Sequence, residues 1–123
     1  MSDKDIEHEI QSKGLTAARI TPQHIDGIIS SEHYFTAADG ARFAHVQNSN
    51  EYSVKIPNQP ESLELLTFCV LVLRNGFTVT GESACASPEN FDPEIGRKIA
   101  RENAINKVWM LEGYLLKQRL TGE

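Results

Sequence analysis

The sequence predicts an α+β fold in which N-terminal helices and two C-terminal helices accompany a small antiparallel sheet built on a β-hairpin at about 65–84. Three observations predict it: an uninterrupted apolar run ends at an Asn-Gly pair, a shorter alternating run follows that pair, and helix-capping residues followed by proline come next. The 123 residues are 40% hydrophobic, which is enough for one modest core. We therefore treat 1–123 as a single domain.

Helix signals occupy the first thirty residues. Ser2 or Asp3 can cap a helix over residues 3–13, and Gly14 stands where a left-handed C-terminal residue is favoured. A second helix should begin at Thr21-Pro22, since a capping residue followed by proline is typical of a first helical turn. The apolar positions assigned to these two helices are Ile6, Ile10, Ile25, Ile28 and Ile29.

Residues 34–62 give the weakest pattern in the chain. Tyr34-Phe35 resembles a core anchor and Asp39-Gly40 a turn, and two short strands are indicated on either side of Asn48-Ser49-Asn50. The stretch 40–62 can equally be interpreted as a variable or mobile insertion, so both alternatives stay open. The apolar residues of the two predicted strands are Phe43, Val46, Tyr52, Val54 and Ile56.

The hairpin pattern is much clearer. Residues 65–73 are apolar on both faces, as is typical of a central strand covered on two sides, and Asn75-Gly76 favours a two-residue turn. Such a turn fixes the register of the whole hairpin. It also places Cys69 and Cys85 on opposite faces, so we predict no disulfide between them. The pairs expected from this register are Val72 with Val79, Phe68 with Ser83, and Cys69 with Glu82.

After the hairpin, two capping residues are each followed by proline, at Ser87-Pro88 and at Asp92-Pro93. We predict a short turn and then a helix that starts at Asp92. Gly113 is expected to kink or break that helix, giving helices of about 92–112 and 113–120. Because the region is apolar nearly all round, we predict that it is buried in a homo-oligomer. The predicted oligomer contacts are Trp109, Leu111, Tyr114, Leu115 and Leu116.

The junction between hairpin and helix has the residue types of an anion site. The free amides of a helix start attract anions, and Arg97 and Arg101, one turn apart, could converge on a phosphate. Phe91 offers a stacking surface for a base. The alternative is an ordinary capped helix start with its arginines in solvent. The predicted ligand-binding residues are Ser87, Asn90, Phe91, Asp92, Arg97 and Arg101.

Composition argues against several classes of protein. A net charge of −5 and a pI of about 5.3 disfavour nucleic acid as the main partner, although local arginines can still hold a small anion. No apolar run approaches the ~20 residues needed to cross a bilayer, so we predict no membrane contact. The acidic start lacks the apolar stretch of a secretory signal, and we expect the two cysteines to be reduced.

The sequence offers little catalytic chemistry. The four histidines are scattered without metal-ligand spacing, so we predict neither a metal site nor a cofactor. The segment Gly81-Glu82-Ser83-Ala84-Cys85 has a passing similarity to a nucleophile elbow but lacks its final glycine. A buried Glu82 could serve as a base, although an exposed or ion-paired strand end is the simpler interpretation. We therefore predict a binding or assembly module and not an enzyme.

Several segments together resemble a family of small tailed-phage proteins, the phage gene-49/gene-66 family: residues 66–77, 81–85, 88–92, 94–104, 107–109 and 111–114. The resemblance covers roughly residues 65–120. It implies a phage or prophage origin and a place in the cytoplasm of a bacterial host, and it assigns no chemistry.

The predicted architecture, a sheet followed by two C-terminal helices in an oligomer, is also similar to that of phage anti-defence sponges. Those proteins sequester cyclic nucleotide or cyclic ADP-ribose signals. The similarity implies a non-enzymatic protein that removes such a signal, with Arg97 and Arg101 on phosphate and Phe91 on a base. Two rival functions are a protein–protein inhibitor of a host factor and a structural accessory protein without a ligand.

Overall fold

The computed structural model describes residues 2–47 and 58–122, and these residues form an α+β fold as the sequence predicts. The elements in chain order are α1 (Asp3–Ser12), α2 (Pro22–Ile28), β1 (Ile29–Thr36), α3 (Ala37–Gln47), α4 (Glu61–Glu64), β2 (Leu66–Leu73), β3 (Thr78–Ala84), a 3₁₀ turn (Pro88–Asn90) and α5 (Pro93–Leu120).

The three strands form one antiparallel sheet in the order β1-β2-β3, so the apolar strand β2 is central, as predicted. The prediction missed β1 and wrongly assigned Ile29 to the preceding helix. Four polar residues in succession, Ser30 to His33, hide the alternation of this edge strand. The strand also contains an irregularity between Ile29 and Ser31, which disturbs the two-residue period further.

The predicted hairpin register is wrong by one residue. Leu71 pairs with Val79 and Cys69 with Gly81, because the loop contains three residues and not two. Gly76 has a φ of +87°, and the Gly76 N–H donates to the Leu73 carbonyl at 2.9 Å, an arrangement typical of a three-residue hairpin loop that ends in a left-handed glycine. The slip moves every β3 side chain to the other face. Val79 and Gly81 therefore face the core, and Glu82 lies on the exposed side opposite Phe68.

The two cysteines are free, as predicted. The reason given for the prediction, that Cys69 and Cys85 lie on opposite faces of the hairpin, was wrong. The Cys85 N–H donates to the carbonyl of Leu65, so Cys85 lies beyond the end of β3 and opposite a residue four positions from Cys69. Four strand residues span about 13 Å, which is too far for a disulfide.

The core lies between the sheet and α5. Cys69, Leu71 and Val79 face Ala100, Ala104 and Val108 of the helix, and all six side chains are buried. The small alanines let the helix axis come close to the strands. The other face of β2 is only half-buried, so the sheet is fully covered on one side and not on two. The expectation from its apolar pattern was wrong on this point.

Helix α5 runs unbroken for 28 residues, which corrects the prediction of two C-terminal helices divided at Gly113. The buried residues of α5 up to Val108 hold the helix in place, and the cost of Gly113 inside it is only about 1 kcal/mol, so the helix continues past this residue. Beyond Val108 the helix extends past the core, and Met110 and Tyr114 are 75% and 73% exposed.

Residues 37–47, which directly precede the residues that the structure does not describe, are helical. Phe43 and Val46, predicted as strand residues, lie in α3, and so does the predicted turn at Asp39-Gly40. Thr36 and Asp39 form a reciprocal cap in which the Asp39 N–H donates to the Thr36 hydroxyl at 3.1 Å and the Thr36 N–H to the Asp39 carboxylate at 3.0 Å. The remaining predicted strand residues, Tyr52, Val54 and Ile56, and the turn at 48–50 lie outside the described residues.

Candidate functional site

The helix start at Asp92 is confirmed, but its amides are not free to bind an anion. The Asp92 carboxylate accepts the N–H groups of Glu94 and Ile95 at 2.9 and 3.3 Å, and Pro93 has no N–H at all. The Gly96 N–H donates to the Asp92 carbonyl at 2.9 Å. The predicted use of these amides for a ligand phosphate is therefore wrong, because the capping carboxylate already occupies them.

Ser87 and Asn90 are not part of the clefts that contain Arg97 and Arg101. The carbonyl of Ser87 accepts the Cys85 thiol at 3.2 Å, and Asn90 is an exposed residue that ends the 3₁₀ turn. Neither residue lines the clefts described below. The structure therefore does not place these two in the cleft that Phe91 and Arg97 share.

Arg101 is held by an acidic partner on β1. Its Nε donates to Glu32 Oε1 at 2.8 Å and its Nη2 to Glu32 Oε2 at 3.3 Å, while the Tyr34 hydroxyl donates to Glu32 Oε1 at 2.6 Å. The hydrogen bonds from Arg101 lower the pKa of Glu32, with burial opposing them and Tyr34 adding to them. Burial and the Glu32 hydrogen bond raise the pKa of Tyr34. Arg101 and Arg97 line different clefts, so the two arginines do not converge on one site.

Phe91 and Arg97 do share a cleft. It has a volume of about 110 Å³ and lies where the start of α5 meets the end of β1 and the start of β2, with Tyr34, Asp39 and Thr67 also in its walls. Phe91 and Arg97 were predicted as site residues from the capping pattern at the junction, but Thr67 was not. A threonine within an apolar strand carries no local sign that its hydroxyl is unpaired.

Arg101 itself lines a second, larger cleft. It has a volume of about 480 Å³ and is bounded by α1, α2 and the middle of α5. Its walls contain three cationic residues, three acidic residues, an amide and the single tryptophan of the chain. These are Lys4, Lys98, Arg101, Asp3, Asp26, Glu102, Asn106 and Trp109. Trp109 was predicted to be an oligomer contact, and no local pattern connected it with α1.

Helix α1 is attached to the rest of the molecule by polar contacts. Trp109 Nε1 donates to the Asp3 carboxylate at 3.1 Å, and Arg19 donates two hydrogen bonds to Glu7, one of them at 2.6 Å. These bonds from Arg19 and a third from Gln11 lower the pKa of Glu7 to about 2. Glu7 is 6% exposed, whereas Ile6 on the predicted apolar face is 43% exposed. The helix thus packs through an acid and not through both isoleucines.

The ends of α1 follow the sequence closely. The Ser2 hydroxyl accepts the Asp5 N–H at 3.1 Å and the Asp5 carboxylate accepts the Ser2 N–H at 3.2 Å. Gly14 has a φ of +69°, and the N–H of Leu15 donates to the Ile10 carbonyl at 3.1 Å. The Ser2 cap and the left-handed Gly14 were predicted, whereas the reciprocal bond to Asp5 was not. Together these features fix the length of the helix that forms one wall of the larger cleft.

Within residues 2–47 and 58–122, no group of three or more histidine, cysteine, aspartate or glutamate side chains could hold a metal ion. No helix in the same part of the chain is both long enough and apolar enough to cross a membrane.

The sequence places the chain among small phage proteins. A family model matches residues 20–120, and the chain belongs to the phage protein (N4 Gp49/phage Sf6 gene 66) family. No match to the chain is found among curated proteins or among solved structures. The family match confirms the resemblance seen at 65–120 and extends it towards the N-terminus. Helix α1, which forms one wall of the larger cleft, lies before the residues that the family model matches.

Proposed function

We propose that this phage protein is a non-enzymatic binding protein that sequesters a small nucleotide-derived immune signal of its host, of the cyclic oligonucleotide or cyclic ADP-ribose type, in the host cytoplasm. The observation that carries the proposal is the cleft of about 480 Å³ between α1, α2 and α5. Its volume lies within the range of about 300–1,000 Å³ that small-molecule sites occupy. Binding of this signal would require no cofactor.

The lining of this cleft has complementary chemistry for a nucleotide. Arg101 and Lys98 lie one turn or less apart on α5 and can contact phosphate oxygens from one side. Trp109 offers an indole for contact with a base, and Asn106 offers an amide that can both donate and accept hydrogen bonds. The site thus moves from the predicted Ser87–Arg101 junction to the next turns of the same helix, and Arg101 is common to both.

Acidic groups in and near the larger cleft work against the binding of a phosphate. Asp3 and Asp26 oppose an anion, and Arg101 is already paired with Glu32. A ligand phosphate would have to displace the Glu32 carboxylate from the guanidinium. Since both side chains of this pair are about one-third exposed, their mutual attraction is small and such an exchange is feasible.

The test is to incubate the protein with a panel of cyclic dinucleotides, cyclic trinucleotides and cyclic ADP-ribose isomers, and then to denature it and analyse the released ligand. Recovery of the intact ligand supports sequestration, whereas a chemically altered ligand indicates an enzyme. The double variant Arg101→Ala with Lys98→Ala should lose binding. Arg74→Ala, at an exposed hairpin arginine, is the matched control and should retain it.

We further propose that the protein is a homo-oligomer whose subunits meet at the end of α5. Leu111, Tyr114 and Leu115 are 42%, 73% and 39% exposed, and Leu116 is half-buried; an apolar surface of this kind is typical of an interface. Trp109 is excepted, because it contacts α1. Tyr114→Asp should lower the mass measured by light scattering. A monomeric wild type would contradict the proposal.

The same exposed helix end favours a second candidate function, that of an inhibitor that blocks a host protein through its surface. The two functions separate experimentally. If no panel ligand is bound but Tyr114→Asp abolishes protection of the phage from host defence, the inhibitor is favoured. If no panel ligand is bound and Tyr114→Asp leaves the protection of the phage unchanged, a structural accessory role is favoured.

A further inference from the structure

The smaller cleft differs in character from the larger one. It lies at the first turns of α5, has a volume of about 110 Å³, and is bordered by the starts of two helices, α3 and α5. This volume suits a single small polar group and is too small for a nucleoside. Thr36, Asp39, Thr67, Phe91 and Arg97 all contribute to its walls.

A hydroxyl in this cleft has no partner. Thr67 is only 3% exposed, and its Oγ1 makes no hydrogen bond to any residue that the structure describes. Such a group normally finds a partner, because leaving a buried donor unpaired costs free energy. The neighbouring Thr36, paired with Thr67 across the sheet, shows the usual situation, since its hydroxyl accepts the Asp39 N–H.

The backbone makes room for this hydroxyl. At Gly96, a Cβ would lie 3.0 Å from Thr67 Oγ1 and 3.6 Å from Phe91 Cε1. Gly96 is itself buried in the first turns of α5. A side chain at residue 96 would therefore crowd both Thr67 and Phe91, which line the cleft.

The cation of the cleft is also unpaired. Among the described residues, Arg19, Arg42 and Arg101 each form an ion pair, whereas Arg97 forms none. The opposing charge is Asp39, whose carboxylate accepts the Thr36 N–H at 3.0 Å and lies 3.8 Å from Arg42. Its charge is thus shared with α3 and Arg42, and the charge left without a protein partner is positive.

We infer that this cleft binds a single phosphate group, with Arg97 neutralising its charge and the Thr67 hydroxyl donating a hydrogen bond to one of its oxygens. The phosphate is either inorganic phosphate or the terminal group of a phosphomonoester. This inference does not rest on the sequestration of a nucleotide signal, and the two sites share no residue.

The test is thermal unfolding of the full chain in phosphate-free buffer, followed by titration with inorganic phosphate at constant ionic strength. Phosphate should raise the Tm of the wild type. Arg97→Gln should weaken phosphate binding about tenfold or more, as expected for a lost charged hydrogen bond. Arg74→Gln is the control, since it removes an exposed arginine distant from the cleft, and it should respond as the wild type does.

Thr67→Val supplies the sharper readout. Without phosphate, this variant should melt at or above the wild-type Tm, because valine fills the same space and removes an unpaired hydroxyl; with phosphate, its Tm should no longer rise. Two results would each overturn the inference: a phosphate response in Thr67→Val equal to that of the wild type, or no response in the wild type.

A repeat with ribose 5-phosphate distinguishes the two sources of the phosphate. Tighter binding of the ester than of inorganic phosphate identifies a terminal group of a larger ligand, and equal binding identifies the free anion. This readout is independent of the ligand-release assay on the larger cleft, so failure of one proposal leaves the other open to its own test.

Discussion

Gly81 of β3 lies directly against Ala104 of α5, so close that a Cβ on residue 81 would come within 3.0 Å of the Ala104 Cα and would also meet the carbonyl of Ala100. Two backbones are in contact here without an intervening side chain. This contact fixes the height of α5 above the sheet. It therefore also affects the smaller cleft, which lies between the start of α5 and the strands β1 and β2.

Gly81→Ala is expected to destabilise the protein by about 3 kcal/mol or more. The new methyl group would overlap backbone atoms of α5, which cannot change rotamer as a side chain can. The measurement is chemical denaturation followed by circular dichroism. Gly40→Ala is the matched control, since a Cβ there makes only ordinary contact with Phe35 at 3.8 Å. Similar losses in the two variants would show that the contact at Gly81 is not tight.

Gly113→Ala is expected to stabilise the protein by about 1 kcal/mol. Gly113 lies inside α5 and a Cβ there meets nothing within 4 Å, so the substitution only removes the entropy that glycine loses in a helix. The measurement is the free energy of unfolding from urea titration, at a protein concentration held constant. A loss of stability would indicate that another subunit packs against this glycine.

The sequence predicted those features that local rules control. The cap at Ser2, the left-handed Gly14 and the helix start at Asp92 all follow from side chains within four residues of each other. The central strand followed from its continuous apolar run. These elements needed no knowledge of the rest of the chain.

Tertiary contacts control the features that were missed. Nothing local shows that Glu7 is buried, because its partner Arg19 lies twelve residues away. The hairpin slip depends on a single extra loop residue at Arg74, and it moves Glu82 away from Cys69. Likewise, the pairing of Arg101 with Glu32 spans 69 residues and two elements, one of which was predicted wrongly.

Only part of the predicted binding site comes together in the structure, again because tertiary contacts decide where its residues lie. Phe91 and Arg97 were brought together correctly because both depend on the local helix start. Arg101 was not, because a β1 carboxylate holds it. Thr67 was missed, since a hydroxyl becomes a binding group only when the fold buries it without a partner.

The ion pair between Glu7 and Arg19 should make stability depend on pH. The pKa of Glu7 is about 2 in the folded protein against an ordinary value of 4.5, so the pair stabilises the fold fully above pH 4.5 and loses its effect as the pH falls to about 2. The Tm difference between wild type and Glu7→Gln should therefore shrink over this interval.

Glu9→Gln provides the control for that pH series, because Glu9 pairs with Lys13 on an exposed surface and should shift the Tm little at any pH. If the Tm difference between the wild type and Glu7→Gln is the same at pH 2 as at pH 7, Glu7 does not stabilise α1 through its charge. Proteolysis of the N-terminal residues offers a second readout, since Glu7→Gln should expose α1 to cleavage.

Glu32→Gln should strengthen ligand binding while leaving the fold intact. The pair with Arg101 is about one-third exposed, so its loss should cost less than about 1 kcal/mol in unfolding experiments. The freed guanidinium should then bind phosphate oxygens without first losing a carboxylate. We expect the panel member recovered from the wild type to bind Glu32→Gln several-fold more tightly in calorimetry, whereas Glu9→Gln should bind it as the wild type does. Unchanged or weaker binding by Glu32→Gln would mean that Arg101 does not contact the ligand, and the site in the larger cleft would have to be abandoned.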